Sequence, residues 1–240
     1  LLYLLGIDDT DQPGSGGTAQ LALTLGKRFE ELSLAQLVNI SSHELLRSSL
    51  VECTSDNHAA CLLLNSEPEC GREIDLVCRE FLRRASSPGA NPGFALSAWS
   101  QLDSAIRAWG KAAKAIQLQR QDALELARKY SVSIAGFAGT GSGVIGALAA
   151  VGLRDDGSDG RFSWLPGLPG LRSRIYTFAE IMQVVAFDRV ESERGMKPDL
   201  RERINIPEHT LPILRDGKSV LLLQPAKKNS PYAWDVVQEK

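Results

Sequence analysis

The apolar positions of the chain fall into short runs that fit strands and longer stripes at helical spacing. Leu1–Ile7 is apolar and stops at Asp8, Asp9, Thr10 and Asp11, which predicts a buried strand ending in a loop. Gln12–Gly17 carries Pro13, Gly14, Gly16 and Gly17. Thr18, a favourable helix N-cap, then opens the periodic run Leu21, Leu25, Phe29 and Leu32, so the segment reads strand–loop–helix. Leu34–Ile40 and His58–Leu64 read as strands. Between Glu69 and Ala85, Cys70, Ile74, Val77, Cys78, Phe81 and Leu82 follow helical spacing with arginines opposite. A loop at Ser86–Pro92 leads to a short strand, Phe94–Ala98, and Gln101–Lys129 reads as one or two amphipathic helices. Ser131–Phe137 is β-prone and Val144–Val151 is a small-residue helix. Beyond the polar break Asp155–Gly160 come the Pro/Gly-rich Trp164–Leu171, a helix near Phe178–Val184 and a strand at Ser219–Leu223. Strands alternating with helices predict an α+β or α/β fold. Its mixed sheet with helices covers residues 1–155, and a smaller mixed α/β region covers 156–240.

Composition narrows the function classes. With 240 residues, 43% apolar and 23% charged, the chain can bury a sizeable core. Its 27 basic and 29 acidic side chains leave a formal charge of −2, which excludes a strongly basic protein that coats nucleic acid but leaves a local basic face open. No apolar run reaches membrane-span length, and Leu1–Leu5 is too short for a signal peptide, so a soluble, cytoplasmic protein with no membrane partner is expected. Cys53, Cys61, Cys70 and Cys78 form no CxxC pair, which argues against a zinc ribbon; the last three read as core filler. His43, His58 and His209 are scattered without metal-binding spacing.

Two constellations can carry chemistry. In Gly6-Ile7-Asp8-Asp9-Thr10-Asp11, three carboxylates crowd a strand end and repel one another unless a cation or hydrogen-bond donors offset them. Either a solvated acidic turn or a Mg²⁺ site on Asp8, Asp9 and Asp11 satisfies that chemistry. The downstream loop with Gly14, Gly16 and Gly17, leading into the Thr18 helix, favours phosphate. The second constellation, Gly139-Thr140-Gly141-Ser142-Gly143-Val144-Ile145-Gly146, satisfies GxGxxG but has no Walker ending and no acidic residue at Rossmann spacing. Glycine loops that merely turn are common. Together with the acid cluster, this one suggests a nucleotide-and-Mg²⁺ cleft, with Gly139, Gly141, Ser142 and Gly143 beside the phosphates. Lys111, Lys114, Arg120 and Arg128 read as a solvated helix face, with phosphate or RNA binding as the alternative.

These motifs together resemble the archaeal tRNA-isoleucine agmatidine synthetase (TiaS) family. The family's GIDDTD strand end matches Gly6–Asp11, followed by a glycine loop and the threonine-headed helix at Thr18. Its TRGN-type turn is similar to Thr54–Asn57, its NPG turn to Asn91-Pro92-Gly93, and its GxGLIGALAAIG loop-helix to Gly141–Gly152. The resemblance covers about residues 1–155. It implies a kinase-type, ATP- and Mg²⁺-dependent catalytic domain. In the family this domain activates the C2 oxygen of a tRNA cytidine for attack by agmatine. Asp8, Asp9 and Asp11 would bind metal and phosphate, Asn57 would contribute to the nucleotide site, and Thr18 would be autophosphorylated. An accompanying ferredoxin-like domain is also implied and is assigned to the C-terminal part. Ser55, Asp56 and Ser142 replace residues of the family pattern, two of them basic, and the family's OB-fold and zinc ribbon have no counterpart in the sequence. An ATP-dependent enzyme acting on tRNA or a smaller substrate is expected, the alternative being a nucleotide-binding regulatory or partner subunit without turnover. Oligomeric state is left open.

Overall fold

The computed structural model describes residues 1–10, 17–47 and 57–237. Alternation along β1 (Leu2–Asp8) sends Tyr3, Leu5 and Ile7 into one core and Leu4 into another, so the strand needs cover on both faces. It pairs antiparallel with β3 (His58–Asn65) and β4 (Gly93–Ala98). In turn, β3 pairs antiparallel with β2 (Gln36–Glu44), and β4 with β5 (Ser133–Gly136). With α1 (Gly17–Glu31) following β1 and α2 (Gly71–Ala85) following β3, residues 2–98 form a β-α-β-β-α-β unit in the order β4-β1-β3-β2. This is the ferredoxin-like arrangement.

Each face is covered by helices whose stripes fit it. Ala22, Leu25 and Phe29 of α1 and Ile74, Cys78 and Leu82 of α2 pack on Tyr3, Leu5, Ile7 and Leu62. On the other face lie α3 (Ser104–Ala113), α4 (Arg120–Lys129) and α5 (Val144–Asp156), which meet Leu4, Cys61, Leu63 and Ala95. Residues Gly146–Arg154 of α5 are all buried because this helix lies between the sheet and α3. Its small side chains allow that. A Cβ on Gly6 would overlap the carbonyl oxygen of Ala147, and one on Gly110 would stand 2.9 Å from that of Ala149. Burial pushes the Cys61 thiol up to about 12 and raises that of Cys78, consistent with inert core thiols. Cys70 lies in a short 3-10 turn ahead of α2, whereas Cys53 is outside the described residues.

Beyond the polar break, β6 (Arg161–Trp164) pairs with β2 and extends the same sheet through β10 (Ile213–Arg215), β11 (Lys218–Pro225), β12 (Trp234–Val236), β9 (Arg203–Ile206) and β7 (Arg174–Thr177). Parallel to β11 runs β8 (Arg189–Ser192), and α6 (Phe178–Val184) starts in a capping box of Thr177 and Glu180. The fold is thus a mixed α+β structure with a mixed sheet, as the sequence predicts. The location of the ferredoxin-like unit differs from the expectation: it is N-terminal, and among the described residues the C-terminal part has one α-helix and many strands. Most of those strands are three or four residues long and carry Arg, Asp or Glu, too short to display a period of two. Among the described residues no helix is long and apolar enough to cross a membrane.

The break itself is a latch. Lys111 pairs with Asp156 at 2.7 Å and Lys114 with Asp159 at 2.6 Å, so these lysines hold the end of α5 rather than forming only a solvated face. Asp159 also lies 3.3 Å from Nδ1 of the fully buried His43, whose Nε2 is 2.8 Å from Ser41 Oγ. Burial lowers the His43 imidazole below its ordinary 6.5, against the opposing pull of Asp159. Burial alone would raise the Asp159 carboxyl, but hydrogen bonds with His43 and Lys114 outweigh it and hold the group below 3.8.

A depressed histidine binds fewer protons folded than unfolded, so its stabilisation is full above 6.5 and is lost as pH falls below that value. Asp159 adds a second loss, as pH falls from its unfolded value of 3.8 through its lower folded one. Urea unfolding at about pH 7.5 and about pH 5.5 is expected to show lower stability at the acidic value. His43→Gln should flatten that slope; an unchanged slope in the variant would assign the pH dependence elsewhere.

Candidate active site at one end of the sheet

Antiparallel pairing brings the singled-out segments to one edge. The register places Asp8 opposite Gly93 and Gly93 opposite Gly136. The chain leaves β1 and β5 at this end and enters β3 and β4 from it. Ile7 faces Ala60, so Asn57 also lies just beyond this end. The Asn57 side-chain amide donates to the Leu46 carbonyl at 2.7 Å and its backbone carbonyl accepts from Leu45 N–H at 2.8 Å, which ties down the end of β2.

The first turn of α5 seats on the end of β1. A Cβ on Gly143 would stand 2.7 Å from the carbonyl oxygens of both Asp8 and Asn91, and one on Gly146 would overlap the Asp8 carboxylate. A Cβ on Gly93 would overlap the Val144 amide nitrogen. The acid cluster and the second glycine motif, far apart in sequence, are therefore in contact. The helix N-terminus beside Asp8 favours negative charge there. Asn91 fixes the loop: its Oδ1 accepts from Thr140 N–H at 2.8 Å, and its carbonyl accepts from Gly143 N–H at 3.0 Å. The Thr140 hydroxyl lies 3.2 Å from Asn91 Oδ1 and 3.0 Å from Ser142 Oγ. Gly139 and Gly141 have φ of 42° and 62°, and a Cβ on Gly139 would overlap Asn91 Oδ1, which accounts for glycine there.

Asp9 also takes a left-handed conformation, with φ of 51°, which aspartate tolerates better than most residues. Thr10 is buried; its hydroxyl donates to Thr18 Oγ at 3.2 Å, and its carbonyl accepts from Ser87 N–H at 3.0 Å. α1 starts at Gly17, whose φ is 82°, so Thr18 lies inside the first turn and is not the N-cap expected. The glycine takes the turn conformation, and the threonine hydroxyl is turned toward Thr10. Asp11, Gly14 and Gly16 lie outside the described residues, as do Thr54, Ser55 and Asp56. Among the described residues no group of three or more potential metal ligands gathers. Asp8 and Asp9 are adjacent carboxylates at the site, and that donor set fits Mg²⁺, which takes one or two carboxylates and completes its shell with phosphate oxygens and water. A cavity of about 420 Å³ lined by Glu30, Asn65, Ser66 and Cys70 lies at the opposite end of the same strands, since Asn65 pairs with Leu2.

The residues that organise this edge were visible in sequence but read differently. Asn91-Pro92-Gly93 looks like a turn, and only the register shows Asn91 holding the glycine loop. Thr10 and Gly146 belong to the quoted motifs, yet their contacts with Thr18 and Asp8 depend on the packing of α1 and α5.

A helix-covered sheet whose end joins two carboxylates to glycine-rich backbone and two helix N-termini is of a class whose chemistry suits a phosphorylated ligand. Within that class, the chain resembles TiaS, the agmatidine synthetase of an isoleucine tRNA. It is similar to TiaS in complex with that tRNA, AMPCPP and agmatine, with a TM-score of 0.55 and 26% identity over 63% of this chain and 36% of that one. The complex of TiaS with the tRNA and ATP gives a TM-score of 0.56 at 26% identity, again over 63% and 36% of the two chains. A tRNA fluorescent labelling enzyme gives 0.54 at 27% identity with the same coverage. The chain thus spans about a third of the length of these structures. No protein-family model and no curated protein matches it.

Asn91→Ala is expected to free the Thr140 amide and to cost about 1 kcal/mol of stability. Hydrogen exchange at Thr140 should accelerate by about fivefold, the equivalent of that 1 kcal/mol. Unchanged protection there would show that the glycine loop holds its shape without Asn91.

Proposed function

We propose that the protein is an ATP- and Mg²⁺-dependent enzyme of the agmatidine synthetase type. It activates the C2 oxygen of a cytidine, in tRNA or in a smaller substrate, for displacement by an amine such as agmatine. The observation that carries this reading is the row Asp8–Gly93–Gly136 with the N-terminus of α5 seated on Asp8. The resemblance to TiaS structures holding ATP, AMPCPP, an isoleucine tRNA and agmatine supports it. Residues 1–155 form the proposed nucleotide-binding catalytic unit and 156–240 a smaller C-terminal region.

In this reading Asp8 and Asp9, with Asp11 two residues on, hold the metal. The amides of Gly139 and Ser142 are the phosphate donors of this reading, while those of Gly141 and Gly143 are taken by the Ala138 and Asn91 carbonyls and shape the loop. Gly14, Gly16 and Gly17 are the phosphate-binding candidates of the first motif. Bound Mg²⁺ would neutralise charge on the transferring phosphoryl group. Asn57 keeps the neighbouring strand end in place. The hydroxyl of Thr18, positioned by Thr10 at the start of α1, is the proposed acceptor of a phosphoryl group, and its helix N-terminus would stabilise the added charge. Ser142, where a basic residue often stands in the family, favours the second reading of a nucleotide-binding subunit without turnover.

Calorimetry with Mg²⁺ and ATP tests the cleft: Asp9→Asn and Asp8→Asn are each expected to weaken binding by at least about tenfold, the equivalent of 1.4 kcal/mol, with melting curves unchanged. Equal affinity in both variants would sink the metal-phosphate assignment. Incubation with labelled ATP, agmatine and bulk tRNA, followed by peptide mass spectrometry, should show phosphate on Thr18 that is absent from Thr18→Asn. ATP bound without any such phosphate or hydrolysis would favour the subunit reading.

A further inference from the structure

Arg120 opens α4, and its Nε lies 3.5 Å from the point where a Cβ on Gly141 would stand. Its guanidinium group thus reaches the backbone of the second glycine loop from a different element. The placement is electrostatically unfavourable on its own, because the first turn of a helix is its positive end and prefers acids. No carboxylate among the described residues forms an ion pair with Arg120, whereas Lys111, Lys114 and Arg107 each have one. The loop it approaches exposes Ala138, Gly139 and Thr140, and carries a serine at position 142. Gly136, which packs on Gly141, stands two strands from Asp8 in one register row, about 10 Å across the sheet end.

We propose that Arg120 is a phosphate-binding residue of this site. It contacts a phosphate group of the nucleoside triphosphate at the end of the row opposite Asp8. This rests on the nucleotide reading above and deepens it: the positive charge that the loop lacks at Ser142 comes from α4. A polyphosphate lying along the row meets metal-binding carboxylates at one end and a guanidinium at the other. The planar fork of arginine suits two phosphate oxygens at once, and the mismatch with the helix dipole is relieved when an anion arrives.

The test is calorimetry of the full chain with ATP and Mg²⁺, and separately with adenosine. Arg120→Gln is compared with wild type and with Arg128→Gln, which removes the same charge two turns further along α4. Arg120 is exposed, so folding should be unaffected, and melting curves verify this. The expected result is a loss of about tenfold or more in ATP affinity for Arg120→Gln, with adenosine binding unchanged and Arg128→Gln like wild type. Wild-type ATP affinity in Arg120→Gln overturns the proposal even if RNA binding is weakened. An equal loss for adenosine, or for Arg128→Gln, also overturns it. Absence of ATP binding by the wild-type chain overturns the nucleotide reading itself, and this inference with it.

Discussion

The contact on which the site depends is the backbone approach of α5 to the β1–β4 strand pair. Glycines stand on both sides of it: Gly6 and Gly93 on the strands, Gly143 and Gly146 on the helix and the turn before it. Any Cβ at these positions would drive into main chain or into the Asp8 carboxylate, and main chain cannot rotate away as a side-chain tip can. Glycine in a strand or helix interior costs about 0.5–1 kcal/mol relative to alanine through lost chain entropy. Burial of Val144, Ala147, Leu148 and Val151 against Leu4, Cys61 and Ala95 offsets that cost. What the glycines secure is position: the N-terminus of α5 is held beside the strand that ends in Asp8 and Asp9.

That position gives the electrostatics a direction. Adjacent Asp8 and Asp9 repel one another, and the first turn of α5, with α1 starting nearby, offsets part of the repulsion. The outer strand β5, which delivers the glycine loop, is propped from the α2 side. The Arg79 guanidinium lies 5.0 Å from the Phe94 ring centre, and Phe94 stacks on Phe137 at 6.1 Å. Arg83 lies 5.1 Å from the Phe137 ring centre. Phe137 directly precedes the loop, so this stack fixes where Ala138–Ser142 begins. The loop is therefore anchored at both ends, by the aromatic stack and by α5, while Asn91 holds its middle.

Much of the N-terminal architecture was legible because its elements have clear periods. Leu2–Asp8 alternates between two cores, α1 repeats Ala22, Leu25 and Phe29, and α2 repeats Ile74, Cys78 and Leu82. The helical run Val144–Val151 was legible by composition, but its burial on nearly every side was not, since small residues give no stripe. Strands β6 to β10 and β12 were missed because three- and four-residue strands with charged members carry no period, and their pairing is decided by distant neighbours. At the site, the residue types in Gly6–Asp11 and Gly139–Gly146 suggested the proposed chemistry, whereas the positions of Asn91 and Arg120 beside the glycine loop depend on tertiary packing. Position 120 reads as one more helix-surface cation until α4 is seen against Gly141.

The residues that meet around Asp8 lie between positions 6 and 146, all within the first part of the chain. The second part reaches them through β2 and through α5, whose Arg154 lies over the Phe162 ring at 5.7 Å. Strand β2 pairs with β3 on one side and β6 on the other, and its end carries His43, Glu44 and Leu45 in succession. His43 is held by Asp159, while the Leu45 side chain lies 3.0 Å from the Cβ position of Gly146, which itself abuts Asp8. Two alternate side chains at the end of β2 thus face the latch and the site. The break at residues 155–160 is joined to the Asp8 carboxylate by a chain of packed groups through His43, Leu45 and Gly146. Close packing leaves no slack along that route, because the space at Gly146 is already filled by a carboxylate and a leucine methyl. The C-terminal strands therefore pack against the end of β2, while the groups that would touch a nucleotide in the proposed site come from the N-terminal part.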